Sequence, residues 1–140
     1  MRTELKPRTK SLKIILDSNA FFVPLQFKID IVEELKTLLN MRHELVLLSP
    51  VKQELERLVN EGSPQTRKNA VYALKLAEKC KLVNVKDGEN PVDDVIMEAA
   101  RKGNCAVFTN DKQLKKKLRD INVPVIYVRQ KSRLNLDGRL

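Results

Sequence analysis

The sequence predicts an α/β protein with three layers, α/β/α, around a central parallel sheet of about five strands. Three observations carry this. Apolar runs of strand length alternate with amphipathic stretches of helix length. The apolar runs, such as Leu45-Val46-Leu47-Leu48, suit strands covered on both faces. Ser-Pro, Asn-Pro and Gly signals separate the two kinds of segment.

Leu12 to Leu16 reads as a first strand ending at Asp17. Residues 28–40 place Ile29, Val32, Leu35, Leu38 and Leu39 on one helical face. Leu45 to Leu48 is a second strand, and Ser49-Pro50 starts a helix with Ser49 as N-cap and Pro50 at the first helical position. That helix is expected to bury Val51, Leu55, Leu58 and Val59 and to stop at Gly62. Ser63-Pro64 repeats the start signal for a helix that packs through Val71, Leu74 and Ala77 and runs to about Cys80. Leu82 to Val85 is a third strand, followed by a turn at Asp87-Gly88. Asn90-Pro91 opens a helix over 91–102 that Gly103 closes. Cys105 to Phe108 is a fourth strand, 111–120 a short basic helix packed through Leu114 and Leu118, and Val123 to Val128 a fifth strand. Strands alternating with helices imply right-handed crossovers. The expectation is one domain over 1–140, with a core of about 12–128 and basic extensions at both ends, the last being a polar tail over 129–140.

Composition bounds what such a domain does. With 140 residues, 42% hydrophobic and 32% charged, the chain supports one real core and is too apolar for a disordered one. No apolar run approaches the roughly 18 residues of a membrane span, and residues 1–11 lack the apolar stretch of a secretory leader. Cys80 and Cys105 lack metal-ligand spacing and read as reduced thiols, so a cytoplasmic protein is expected. The net charge of +9 and pI near 9.7 point to a polyanionic partner, nucleic acid or an anionic surface.

Against that basic background the positions of the acids stand out. Ligands of open α/β sheets bind outside the carboxyl ends of the strands. Asp17 follows the first strand and Asp111 the fourth; Glu54 lies in the second turn of the helix after the second strand; Asp93 and Asp94 lie in the first turn of the helix after the third. Each has an ordinary explanation as a helix cap, a dipole partner or, for Glu54, an ion pair with Arg57 three residues on. Together, four segments deliver carboxylates toward one rim, where mutual repulsion would drive them to protonate. A divalent cation removes that penalty, and oxygen ligands without Cys or His suit Mg²⁺ or Mn²⁺. Other acidic α/β sites fit less well. A receiver-type site needs an acidic pair near strand one, and a haloacid-dehalogenase-like site needs Asp-x-Asp where this chain has Asp17-Ser18-Asn19. No glycine-rich phosphate cradle is present among only four glycines.

The chain resembles the PIN-domain family of metal-dependent nucleases over residues 12–128. Ile15-Leu16-Asp17-Ser18-Asn19, Pro50-Val51-Lys52-Gln53-Glu54-Leu55, Val92-Asp93-Asp94-Val95-Ile96 and Thr109-Asn110-Asp111-Lys112-Gln113-Leu114 occur in the family's order and spacing. The resemblance implies that Asp17, Glu54, Asp93 and Asp111 form the family's acidic quartet, both catalytic and metal-binding. Asp93 is chosen over Asp94 because Ile96 and Ala100 match the apolar and small positions that follow the third acid. Asp94 is left as an auxiliary acid, and Asn19 and Thr109 match polar positions that support the site. The segment LDSNAFFVPLQFKIDIVEEL is similar to an archaeal and eukaryotic branch linked to ribosomal RNA processing, close to proteins labelled VapC-type toxins in archaea.

These resemblances imply an endoribonuclease that hydrolyses RNA phosphodiester bonds with one or two Mg²⁺ or Mn²⁺ ions, needing no histidine base. The sole histidine, His43, precedes strand two and reads as a surface residue. Lys112, Lys115 and Lys116, with Lys117 and Arg119, are candidates for holding RNA, joined by Arg129, Lys131, Arg133 and Arg139 in the tail and by Arg2, Lys6, Arg8 and Lys10 at the start. With aromatics at 4% and no Trp, phosphate contact is favoured over base stacking, and Phe21, Phe22 and Phe27 are read as core or dimer surface. Alternative roles stay open: a catalytically inactive scaffold in ribosome assembly that binds RNA or protein, or the toxin of a toxin–antitoxin pair. Implied partners are therefore RNA, an antitoxin or a ribosome-assembly protein, and a second copy of the chain.

Overall fold

A computed structural model describes residues 11–86 and 90–140. It is a three-layer α/β protein with a six-stranded sheet in the order β3-β2-β1-β4-β5-β6. The strands are β1 Leu12–Leu16, β2 His43–Leu48, β3 Lys81–Val83, β4 Cys105–Phe108, β5 Val125–Arg129 and β6 Arg133–Asp137. The first five are mutually parallel, and β6 returns antiparallel to β5. The helices are α1 Val23–Phe27, α2 Ile31–Leu39, α3 Ser49–Glu61, α4 Pro64–Ala77, α5 Val92–Ala100 and α6 Lys112–Asp120, with a 3-10 turn over Ser18–Phe22.

The topology follows from chirality. Connections β1→β2→β3 step one way across the sheet and carry α1 to α4; β3→β4→β5 step back and carry α5 and α6. Right-handed crossovers in opposite directions put the two helix sets on opposite faces. Chain direction across the sheet reverses between β1 and β4, which pair in register from Lys13↔Cys105 to Leu16↔Phe108. The central strands are apolar because both faces are covered: Ile14, Leu16, Val107, Phe108 and Ile126 have no measurable exposure. Edge strand β3 is exposed throughout.

Several expected boundaries shift, each for a local reason. The helix expected over 28–40 begins at Ile31, because Lys28 is left-handed (φ 58°) and extended Asp30 caps the Glu33 amide at 3.2 Å. Its buried stripe is Ile31, Leu35 and Leu39, with Val32 and Leu38 half-buried. Ser49 is not an N-cap. Leu48 holds that position without a side-chain bond, and Ser49 Oγ instead accepts the Val85 amide at 2.9 Å, tying the chain beyond β3 to the head of α3. Ser63 does cap its helix, accepting from the Thr66 amide at 3.2 Å. On α4 the packing face is Ala70, Ala73 and Ala77, which let α3 approach closely, while Val71 is exposed. α4 ends at Ala77 and α5 spans only Val92–Ala100, before a turn to left-handed Gly103. His43 lies in β2 as its first residue, half-buried, with Nδ1 2.9 Å from the Met41 carbonyl. Phe21 is core and Phe22 and Phe27 pack against it. The turn at Asp87-Gly88 and the basic residues Arg2, Lys6, Arg8 and Lys10 lie outside the described residues.

The main difference is the sixth strand, in the stretch expected to be a polar tail. Arg-Leu-Asn-Leu-Asp alternates with period two, burying Leu134 and half-burying Leu136 against α2 and β5. Lys115 Nζ sits 3.5 Å over the Tyr127 ring and 3.5 Å from Asp137, and Arg119 Nε lies 3.3 Å from Asp137. Gly138 (φ 107°) follows, and a Cβ there would meet the Arg119 guanidinium at 2.7 Å and the Pro124 backbone at 3.1 Å. Gly138→Ala is therefore expected to lower stability by about 1 kcal/mol or more in urea unfolding, through backbone strain that L-residues carry at positive φ. Burial pushes the Cys80 thiol up to about 11. A raised acid keeps its proton in the native state, so the stability this contributes is complete below pH 9 and lost as pH rises toward 11. Iodoacetamide at pH 8 is accordingly expected to label Cys80 slowly in the native protein and rapidly in denaturant.

Candidate active site

The two central strands deliver the first acid to the point of reversal. β1 ends at Leu16 and β4 at Phe108, and the Asp17 amide continues the ladder by donating to the Phe108 carbonyl at 3.0 Å. Asp17 is thus inside the rim and only 6% exposed. Its Oδ1 accepts the Ser18 amide at 2.8 Å; its Oδ2 accepts the Thr109 hydroxyl at 2.8 Å and Asn19 Nδ2 at 3.1 Å. Burial raises the proton affinity of Asp17, the bonds from Thr109, Ser18 and Asn19 lower it, and the charge of Asp111 raises it again, for a net increase.

Thr109, fully buried, organises the rest. Its single hydroxyl proton goes to Asp17, and its oxygen accepts the Asp111 amide at 3.1 Å and Asn19 Nδ2 at 3.2 Å. That uses the full capacity of a hydroxyl, one donor and two lone pairs. The Asn19 amide is oriented by its other end, since Oδ1 accepts the Asn110 amide at 3.0 Å. Asn110 Oδ1 in turn accepts the Val128 amide at 2.8 Å, fastening this loop to β5. Sequence reasoning placed Asn19 and Thr109 in support of the site but missed Asn110. The available signal was an Asn between a strand-terminal Thr and a capping Asp.

Asp111 is both cap and acid. Oδ1 accepts the Gln113 and Leu114 amides at 2.9 and 3.2 Å, starting α6, and Oδ2 has no partner among the described residues. Asp93 stands half-exposed in the first turn of α5. Its proton affinity is raised by burial and then by the charges of Asp17 and Asp111; Lys117 acts in the opposite sense, and Asp94 adds a further increase. The structure thus brings Asp17, Asp93 and Asp111 into one electrostatic group, with the exposed Asp94 at its margin. Glu54 is paired with a cation. On α3 its Oε2 is 2.8 Å from Arg57 Nη2, and Arg57 also reaches Glu61 at 3.6 Å. Of the basic residues on α6, Lys115 is taken up by Tyr127 and Asp137, and Lys112 and Lys116 have no ion-pair partner among the described residues.

Among the described residues no three acids stand close enough to form a ready-made cation cage. The residues present nevertheless fit a hydrated divalent cation. Mg²⁺ keeps several waters and commonly takes only one or two protein carboxylates. Asp17, Asp93 and Asp111 offer oxygen donors whose repulsion such a charge would relieve.

A mostly parallel sheet with carboxylates just beyond the ends of its paired central strands, on a basic chain, defines an α/β protein with an acidic rim. This chain belongs to the PIN-like family: the family model described as "PIN like domain" matches residues 14–131. It is 36% identical to ribonuclease VapC4 of Methanocaldococcus jannaschii over 127 residues, covering 90% of this chain and 97% of that protein. It is 32% identical to ribonuclease VapC9 of Archaeoglobus fulgidus over 120 residues, covering 86% and 85%. Its structure is similar to that of the PIN domain endonuclease Utp24, with a TM-score of 0.77 and 27% identity over 91% of this chain and 92% of that one.

The Thr109 hydroxyl makes a specific prediction. Thr109→Val is expected to lower stability by about 1–3 kcal/mol in urea unfolding, because Asp17 and the Asp111 amide both lose a buried partner. Thr109→Ser, which keeps the hydroxyl, is expected to recover most of that loss.

Proposed function

We infer that this chain is a metal-dependent endoribonuclease that hydrolyses RNA phosphodiester bonds. The observation that carries the reading is that Asp17 and Asp111 follow the paired strands β1 and β4 and share the Thr109 hydroxyl, with Asp93 near enough for their charges to raise its proton affinity, in a chain of net charge +9. Two relatives of nearly the same length bear the name ribonuclease, and the Utp24 likeness is to an endonuclease.

Asp17, Asp93 and Asp111 would hold Mg²⁺ or Mn²⁺, which when bound supplies an activated water and neutralises phosphate charge. The chain's own residues do the positioning. Thr109 and Asn19 donate to Asp17 and favour its charged form, partly offsetting the burial that raises its proton affinity. The α6 cap holds Asp111 Oδ1, so that Oδ2 alone is turned over to the reaction. Glu54, now paired with Arg57, would be the fourth acid, either ligating a second ion or orienting the water. Asp94 serves as an auxiliary charge.

The VapC names of the two relatives favour a toxin-type role, with a small inhibitory protein as partner, over ribosomal RNA processing or an inactive scaffold. The protein acts in the cytoplasm, where RNA is met. No helix among the described residues is long and apolar enough to cross a membrane.

The test is cleavage of single-stranded and structured RNA with Mg²⁺, Mn²⁺ or EDTA. Asp93→Asn is expected to lower the rate at least about 100-fold, the scale on which single charge-stabilising groups act in hydrolytic sites. EDTA should abolish cleavage, and Glu54→Gln should reduce it less than Asp93→Asn. Cleavage that persists in EDTA and in Asp93→Asn would overturn the reading.

A further inference from the structure

Helix α6 carries five cations in nine residues, and the structure divides them. Buried Leu114 and Leu118 set the phase of the helix on the sheet. At about 100° per residue, Lys115 and Arg119 share one flank with Lys112 a turn before them, Lys116 occupies the outer face, and Lys117 lies about 200° from Lys115 on the opposite flank.

The Lys115–Arg119 flank is spent on β6. Lys115 lies on the Tyr127 ring and beside Asp137, Arg119 bonds Asp137 and the Val123 carbonyl, and Gly138 makes room for the guanidinium. The other three are exposed and without ion-pair partners among the described residues. They start at the site itself, since Lys112 follows the capping Asp111. Lys117 is close enough to Asp93 for its charge to lower that carboxyl's proton affinity. An acidic rim repels a phosphodiester, so a strand must be held by cations beside the acids and not among them.

We propose that Lys112, Lys116 and Lys117 form the phosphate track that lays a single RNA strand against the acidic rim, and that Lys115 takes no part in it. This rests on the endoribonuclease reading and deepens it. The contact is with phosphates, so it is indifferent to base sequence.

The test measures binding of a fluorescein-labelled single-stranded RNA in EDTA over a salt series, with cleavage in Mn²⁺ followed separately. Each phosphate contact on a single strand contributes about 0.7 to the slope of log affinity against log salt. Lys117→Gln is expected to flatten the slope by about 0.7, and the Lys112→Gln/Lys116→Gln/Lys117→Gln variant by about 2. Lys115→Gln should lower the melting temperature and leave the slope unchanged. A control removing exposed Lys68, Lys75 and Lys79 from around α4 loses the same net charge and should keep the wild-type slope. Equal flattening by the α4 control, or none in the α6 triple variant, overturns the track. If wild type still cleaves RNA in that case, the nuclease reading stands without it. If wild type neither binds nor cleaves RNA, both readings fail together.

Discussion

The structure turns on one buried carboxylate. Asp17 closes β1 at the place where the sheet changes direction, and its amide still belongs to the β1–β4 ladder. A charge at 6% exposure is costly unless it is hydrogen-bonded. Thr109, Asn19 and the Ser18 amide supply those bonds, and they come from the segments that follow both β1 and β4. Satisfying Asp17 therefore also fixes the spacing of the two loops that line the site. The same hydroxyl that donates to Asp17 accepts the Asp111 amide, so the first and fourth acidic segments are held by one atom.

The remaining acids are placed by helix starts. α3, α5 and α6 all begin at the carboxyl edge of the sheet, where unpaired amides and the positive end of the helix dipole favour negative charge. Asp111 uses this directly, with one oxygen on the α6 amides. Asp93 gains less: burial and its acidic neighbours raise its proton affinity, and Lys117 offsets only part of that. The result is a group of carboxylates held near one another but short of a closed cage. Such a site suits a cation that brings part of its own water shell.

Around this acidic centre the protein is basic, and the basic residues are not equivalent. Lys115 and Arg119 hold the antiparallel β6 to the end of the sheet, where Asp137 answers both. Those charges are internal fastening and add little to the outward field. The lysines on the rest of α6, without ion-pair partners among the described residues, are exposed, and they begin next to Asp111. The positive charge of the chain is thus displayed along the outer part of α6 while the rim beside it is negative.

Much of this was legible in the residues alone. The alternation of apolar and amphipathic segments determined a parallel α/β sheet, because strands covered on both faces and helices covered on one leave different periodicities. Acids just past apolar runs determined the rim, because chain direction in a parallel sheet puts every strand end at the same edge. Tertiary structure decided what local pattern does not encode. Ser49 reads as a cap but bonds a strand connection 36 residues away, and a charged tail becomes a strand once Asp137 meets Lys115 and Arg119. The role of Asn110 and the division of labour among the α6 lysines likewise depend on partners distant in the chain, such as Val128, Asp137 and Asp93. A residue's own chemistry is written in the sequence; which of several available partners it takes is settled only when the chain brings them within reach.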